Sequence, residues 1–251
     1  IGLRSLELWP QWIEELEQKP SSESDYFFQR GSLAVSHPQD TVELQQFDAD
    51  LKHMLGDSTE YQRLNGQQIQ QLEPALSDNF QQGLYLEPEA HINNRQLLDR
   101  LLVEIQSLGG QLYPNTPVQP SANTLQAKTQ SYRFDLCIDC RGFGAKHSAS
   151  TEQPLRGVRG EVLSVHTKEI QLQRPIRLMH PRYQLYIVPK PDNIFVLGAT
   201  SIESEDMSPI SLQSNLELSS ALFTLNPAFA EARIVNMAVN ASNWQTYFIN
   251  S

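Results

Sequence analysis

The stretch FDLCIDCRGFGA, from Phe134 to Ala145, indicates the fold class of this chain. Its first half reads as a continuous apolar run, which is typical of a strand buried on both faces of an α/β layer. The run leads into Gly142-x-Gly144, where missing side chains would let the backbone approach a flat or anionic group. A simple tight turn explains the two glycines equally well, because His147 interrupts the full G-x-G-x-x-G pattern.

Apolar periodicity on either side of this stretch predicts further helices and strands. The helices are predicted over residues 3–16, 41–55, 67–72, 94–108 and 208–223. The strands are predicted over residues 83–87, 111–113, 124–128, 134–139, 161–166, 176–179, 185–188, 194–197 and 234–239, with a hairpin over 26–36. Strands become half-buried after Gly160, so the sequence predicts a mixed α/β fold of two interleaved domains, 1–25 with 94–160 and 26–93 with 161–251.

Composition excludes several classes of protein. The 251 residues carry 19 Lys and Arg against 29 Asp and Glu, and the net charge of -10 would repel a nucleic-acid backbone. No apolar run approaches the roughly 20 residues of a membrane-spanning helix. Two cysteines make no disulfide framework and no signal peptide precedes the first helix, so a cytoplasmic location is expected. That helix lacks a capping residue, which predicts that the chain begins inside a longer protein.

Cys137 and Cys140 have the C-x-x-C spacing of redox dithiols and of half a zinc site. A redox pair needs the N-terminus of a helix, whereas these residues lie in and just after the predicted strand and face opposite sides. No second pair of ligands completes a zinc site, since His147 and His166 are isolated. A structural role is favoured, and no metal site is predicted.

Other polar residues have two open interpretations. His91 stands where a strand gives way to a helix, and the favoured interpretation is a polar residue at the mouth of a loop. Arg177, His180 and Arg182 put positive charge near the strand of Tyr186, which fits either an anionic ligand or a solvated face. The chain has neither the G-x-S-x-G of serine hydrolases nor the phosphate-binding P-loop, so both of these classes are set aside.

Five segments, in order, resemble the FAD-dependent D-amino acid oxidase and glycine oxidase family. They are EAHINNRQLL (89–98), GGQLYPNTPV (109–118), CIDCRGFGA (137–145), LRGVRGEVLSV (155–165) and LYIVPKPDNIFVLGAT (185–200). Each segment is degenerate by itself, and their shared order and spacing from residue 1 to about 240 carry the resemblance.

The resemblance implies that 1–25 and 94–160 form an incomplete Rossmann-like FAD-binding layer, and that 26–93 and 161–251 form a mixed-sheet substrate domain. It implies that Tyr186 lies over the flavin, close to the substrate. The residues that match the family's contacts to FAD are Val118, Cys140, Gly142, Gly144, Arg159 and Gly160.

The activity that the resemblance implies is oxidation of an amino acid or amine at its C–N bond, by hydride transfer to the flavin, with the choice between oxidase and dehydrogenase open. Two family features are missing: the strand with G-x-G-x-x-G that binds the FAD pyrophosphate, and the arginine that binds the substrate carboxylate, where 240–244 reads NASNW. We therefore expect a poorly active fragment with an exposed apolar surface and possible self-association. The alternative is a non-catalytic binding or structural module.

Overall fold

A computed structural model describes residues 2–56, 60–121, 123–127, 130–146, 156–181 and 184–243. His147, Arg182 and Trp244, which the sequence analysis singled out, lie outside these ranges. The helices are α1 (Gly2–Glu17), α2 (Thr41–Leu55), α3 (Gly66–Leu72), α4 (Asn94–Ser107) and α5 (Leu212–Leu225).

All five predicted helices are present. Helix α3 begins with a reciprocal cap, in which the Asn65 side chain accepts from the Gln68 backbone and the Gln68 side chain accepts from the Asn65 backbone. Helix α5 begins at Leu212, four residues later than predicted, because Ser211 is the residue whose side chain caps the helix. No helix in the described part of the chain is long and apolar enough to cross a membrane.

Thirteen strands form three sheets in the described residues. The strands are β1 (Phe27–Phe28), β2 (Ser32–Ser36), β3 (Tyr61–Asn65), β4 (Gln82–Leu86), β5 (His91–Ile92), β6 (Gln119–Ser121), β7 (Thr124–Ala127), β8 (Gln130–Arg133), β9 (Gly157–His166), β10 (Ile176–Met179), β11 (Gln184–Lys190), β12 (Ile194–Gly198) and β13 (Arg233–Asn243). The largest sheet has the order β13-β9-β12-β11-β10-β2-β4-β3, β1 pairs with β5, and β6-β7-β8 is a small antiparallel sheet.

The eight-stranded sheet is antiparallel apart from the parallel pair β10–β2. Side chains of neighbouring residues in a strand point to opposite faces, and β2 is buried along its whole length because both faces are covered. Leu33 and Val35 pack with α3 and α5, whereas Ala34 packs with Leu44 and Leu51 of α2. The mixed α/β class predicted from the sequence is confirmed.

A separate cluster joins α1 and α4. Ile13 is fully buried there against Leu97 of α4 and against Tyr26 and Phe27 at β1. The Tyr26 hydroxyl donates to Glu17 at the end of α1 over 2.8 Å. This cluster is distinct from the two that cover the large sheet, although it also includes residues of 26–28 and 90–92, which the sequence assigns to the other domain. The two-domain division itself stays a prediction.

The predicted hairpin over 26–36 is wrong. Strand β1 pairs with β5, while β2 pairs with β4 and β10, so the two arms belong to different sheets. The chain turns between them at Gly31, which has φ +69 and whose N–H donates to the Glu89 carbonyl over 2.9 Å. A side chain at this position would collide with the Tyr85 ring, so the glycine permits a change of sheet where the sequence suggests a tight hairpin.

The strands predicted over 111–113 and 134–139 are also absent. Leu136 and Ile138 are 75% and 73% exposed, and the nearby strand is β8, which pairs only with β7. No described strand lies beside 134–139, and an apolar strand without neighbours has no hydrogen-bonding partners for its backbone. The exposed apolar surface expected for this layer is therefore present, and it continues onto Leu98 and Leu108 at α4.

Candidate functional site

A cavity of about 720 Å³ opens on the face of the large sheet that α2 covers in part. Its floor is formed by Arg177 and Met179 of β10 and by Tyr186 and Val188 of β11. Its walls come from α2, from the turn before β5 and from the segment after β12, through Glu43, Phe47, Glu89, Ala90, His91, Ala199, Thr200 and Ser201. The cavity therefore joins residues that are far apart in the sequence.

Tyr186 lies across a glycine of the neighbouring strand. It is the register partner of Gly198 on β12, and a side-chain carbon built at Gly198 would lie 3.0 Å from the Tyr186 hydroxyl oxygen and 2.9 Å from Val162. The missing side chain leaves room for the phenol ring at this point of the sheet. Tyr186 is 39% exposed, so the side chain predicted to lie near the substrate faces the cavity.

Arg177 forms an ion pair at the same cavity. Its Nη2 lies 2.6 and 2.7 Å from the two carboxylate oxygens of Glu89, to which the Ser32 hydroxyl also donates. The guanidinium carbon lies 5.9 Å from the centre of the Phe47 ring. Part of the positive charge seen in the sequence is thus paired, and Arg177 lies in a cavity rather than on a flat solvated face. His180 lines the cavity as well.

His91 lies between this cavity and a second one of about 640 Å³. Its ring stacks on Phe28 at 5.0 Å, and its Nδ1 is buried without a hydrogen-bond partner in the described structure. Burial, with the positive charges of Lys190 and Arg30, lowers the pKa of His91 to about 4. The imidazole is therefore neutral near pH 7. The residue at the end of a loop proves to be half-buried in a two-residue strand.

We expect His91 to make the protein sensitive to acid between pH 6.5 and 4. Because the folded-state pKa of His91 lies below its ordinary value of 6.5, the unfolded chain takes up a proton first as the pH falls. Stability is therefore retained above this window and lost through it. His91→Asn should reduce this loss by about 1–2 kcal/mol in urea titrations at pH 7 and pH 4. The exposed His53 supplies the control His53→Asn, and equal acid sensitivity of both variants would contradict the assignment.

The Arg159 side chain is used inside the fold. Its Nε donates to Glu161 over 2.8 Å, Nη2 donates to the Pro209 carbonyl over 2.9 Å, and Nη1 bonds the Asp206 carbonyl. Burial raises the pKa of Glu161, but hydrogen bonds from Ser214 and Arg159 outweigh it and hold that pKa below its ordinary range. The geometry favours a structural role for Arg159, and its contact with FAD stays a prediction.

The glycine turn predicted to approach the cofactor is open on its outer side. Gly142 has φ +56, and a side-chain carbon there would meet no atom within 4 Å. At Gly144 the only such atom is Cβ of Arg141, at 3.6 Å. A flat group can therefore reach the backbone of both residues, and in this respect the turn fits FAD. The Arg141 side chain pairs with Asp139 and, by its hydrogen bonds, lowers the pKa of that carboxyl to about 2.

The structure brings some of the predicted site residues together. Phe143, between the two glycines, reaches Gly157 at the start of β9, since a side-chain carbon there would lie 3.0 Å from its ring. Three residues further, Gly160 lies beside Thr200, a lining residue of the Tyr186 cavity. Val118, half-buried, and Cys140, exposed, do not line that cavity. Both cysteines are free thiols, and the described residues contain no metal-binding cluster.

Sequence reasoning missed Glu89 as a site residue. It lies 88 positions before its partner Arg177, and no local pattern links the two. The available signal was its place in EAHINN, two residues before His91, in a segment that already carried the family resemblance.

Comparison with known proteins identifies the family. A family model described as FAD dependent oxidoreductase matches residues 1–242. A protein of Rhizobium etli named as a thiamine biosynthesis oxidoreductase, ThiO, is 37% identical over 206 residues, which are 82% of this chain and 57% of that protein. The chain thus spans little more than half the length of this relative.

Solved structures match the fold. The glycine oxidase of Geobacillus kaustophilus has a TM-score of 0.79 at 20% identity, covering 96% of this chain and 66% of that one. The glycine oxidase of Bacillus cereus has a TM-score of 0.81 at 18% identity, with coverages of 96% and 68%. At these identities the likeness concerns the fold, whereas the family model covers nearly the whole chain. The chain belongs to the FAD dependent oxidoreductase family, as its resemblance to D-amino acid and glycine oxidases implied.

Proposed function

We propose that the protein oxidises a small amino acid or amine at its C–N bond, with FAD as its cofactor. The observation that carries the proposal is the cavity over Tyr186, bordered by Thr200 beside Gly160, in a chain of an FAD-dependent family. The names of the relatives, glycine oxidase and ThiO, point to the same class of substrate. The proposal concerns the whole protein, of which the chain matches about half to two thirds in its relatives.

We propose that Gly142, Gly144 and Gly160 let the cofactor approach the backbone closely, with Val118 and Cys140 at the same layer. When bound, FAD supplies the acceptor for the two electrons that leave the substrate. The chain's own contribution is to hold the substrate carbon in place and to keep water out of the cavity. Of the six predicted cofactor residues, Arg159 has the weakest support, because its guanidinium is already bonded within the fold.

Tyr186 would orient the substrate through its hydroxyl. A neutral phenol offers one donor and can accept, so it can fix the position of a polar group without exchanging a proton at neutral pH. The ring lies on the rigid floor of the sheet, between Arg177 and Gly198 in register. Such a residue improves positioning more than it changes the chemistry of the step.

The remaining features have proposals of narrower scope. We propose that 1–25 with 94–160 belong to the FAD-binding layer, and that the exposed apolar residues Leu136 and Ile138 are covered there by further protein, from the same layer or by self-association. The two free thiols support a cytoplasmic location.

The test is reduction of the flavin in the purified, FAD-loaded protein by glycine, other small amino acids and simple amines. Tyr186→Phe should lower kcat/KM about 3-fold to 10-fold, the effect of losing one neutral hydrogen bond. Tyr132→Phe is the matched control, since Tyr132 lies on β8 with its hydroxyl on Gln130. If the folded protein retains no FAD, or no substrate of this class reduces it, the alternative of a non-catalytic module replaces this proposal.

A further inference from the structure

We propose that Arg177 binds the carboxylate of the substrate, and that Glu89 is the positioning residue that holds the guanidinium in place. The inference rests on the proposed function and adds a named contact and a substrate class to it. It addresses the absence of an arginine from the C-terminal NASNW segment, where the related family carries one.

The register of the sheet puts Arg177 within reach of a ligand over Tyr186. The two residues are direct partners of the antiparallel pair β10–β11, so their side chains leave the same face. Side-chain carbons of such partners lie about 4.5–5.5 Å apart. Both residues line the cavity, whose other cationic candidate in the described lining, His180, has further interactions. A small molecule on the phenol ring is therefore adjacent to the guanidinium.

The Arg177–Glu89 pair differs from the two buried pairs of the fold. The side chains of Arg159 and Glu161 are 6% and 0% exposed, and those of Arg174 and Glu73 are 13% and 0% exposed. Arg177 and Glu89, by contrast, are 40% and 25% exposed where they border the cavity. A pair that only stabilised the fold would have no need of this opening, whereas a pair that receives a ligand requires it.

Glu89 fixes the guanidinium without using all its donors. Both oxygens of Glu89 lie on Nη2, and a guanidinium has five N–H donors. The hydroxyl of Ser32 bonds Glu89 from the far side of the turn, and the Phe47 ring limits the movement of Arg177. The planar cation is thus held in one orientation beside the cavity, which is the arrangement that suits a carboxylate.

The charges around the cavity restrict the substrate to one carboxylate. Glu43 and Glu89 line it together with Arg177, and His91 is neutral near pH 7 because burial lowers its pKa to about 4. A ligand with one carboxylate can use Arg177, whereas a second carboxylate would meet acidic side chains and be repelled. The class that fits is a small amino acid with an uncharged or absent side chain, rather than a dicarboxylate.

The experiment measures binding of glycolate, which has a carboxylate and no amine, by calorimetry on the purified FAD-loaded protein. Arg177→Met should raise the Kd of glycolate about 10-fold to 100-fold, as expected for loss of a charge-assisted hydrogen bond. Arg177→Lys, which keeps the charge and protects against a folding defect, should recover part of that loss. Arg63→Met is the control, because Arg63 also pairs with a carboxylate and lies over a ring, but outside this cavity.

Glu89→Gln tests positioning, since it keeps an acceptor but loses the charge that holds Arg177. We expect glycolate to bind several-fold more weakly, and malonate, a dicarboxylate, to bind more weakly than glycolate to the unaltered protein. Unchanged glycolate affinity in Arg177→Met, or tighter binding of malonate, would overturn the inference. Binding that depends on Arg177 in a protein that oxidises no amine would refute only the proposed function, and amine oxidation with unchanged KM in Arg177→Met would refute only this inference.

Discussion

Arg159→Met is expected to lower the free energy of unfolding by about 3–5 kcal/mol, the usual cost of removing one partner from a buried ion pair. Glu161 is fully buried and accepts from Arg159 over 2.8 Å. Without the guanidinium, its charge keeps only the hydrogen bonds of Ser211 and Ser214. The carbonyls of Asp206 and Pro209 lose their donors as well, so the segment before α5 should loosen with the end of β9.

Urea titration of the protein before and after addition of FAD provides the measurement. The double variant Arg159→Met with Glu161→Leu removes both charges and should regain a large part of the loss, because replacing a buried pair by apolar side chains is often neutral. A single variant with unaltered stability but weakened FAD binding would show that Arg159 belongs to the cofactor site, as the resemblance implied, and not to the frame of the fold.

The helices could be predicted from the sequence because their signals are local. Leu44, Leu51 and Leu55 recur at helical spacing on α2, and Gly56 ends that helix, so neighbouring residues alone carry the information. The hairpin of β11 and β12 was equally accessible, since Asp192 and Asn193 adopt positive φ in the turn that joins them.

Pairing between distant segments could not be predicted in the same way. The sequence around Gly31 is compatible with a hairpin, and only the distant strands β5 and β4 decide that its two arms separate. Residues 134–139 have the composition of a buried strand, but composition does not supply the neighbouring strands that would bury Leu136. The same limit applies to the site, where Tyr186 and Arg177 were recognisable on nearby strands and Glu89 was not.

The separate core of α1 and α4 leads to the second large effect. Ile13→Ala should lower the stability of the α1–α4 layer by about 2–5 kcal/mol, because Ile13 is fully buried and its neighbours in α4 and β1 cannot close the space completely. Leu163→Ala on β9 removes a fully buried side chain from the sheet core and should have an effect of similar size there.

Hydrogen exchange of backbone amides in α4 and β9 distinguishes the two variants. If 1–25 with 94–160 form one domain and 26–93 with 161–251 another, Ile13→Ala should reduce protection in α4 and leave β9 protected, while Leu163→Ala should do the reverse. Equal loss of protection in both elements for both variants would mean that the chain unfolds as one unit and that the division is wrong. Selective loss in α4 would also predict that FAD, if this layer binds it, restores protection there before it affects the sheet, because a ligand stabilises the part of the fold that it contacts.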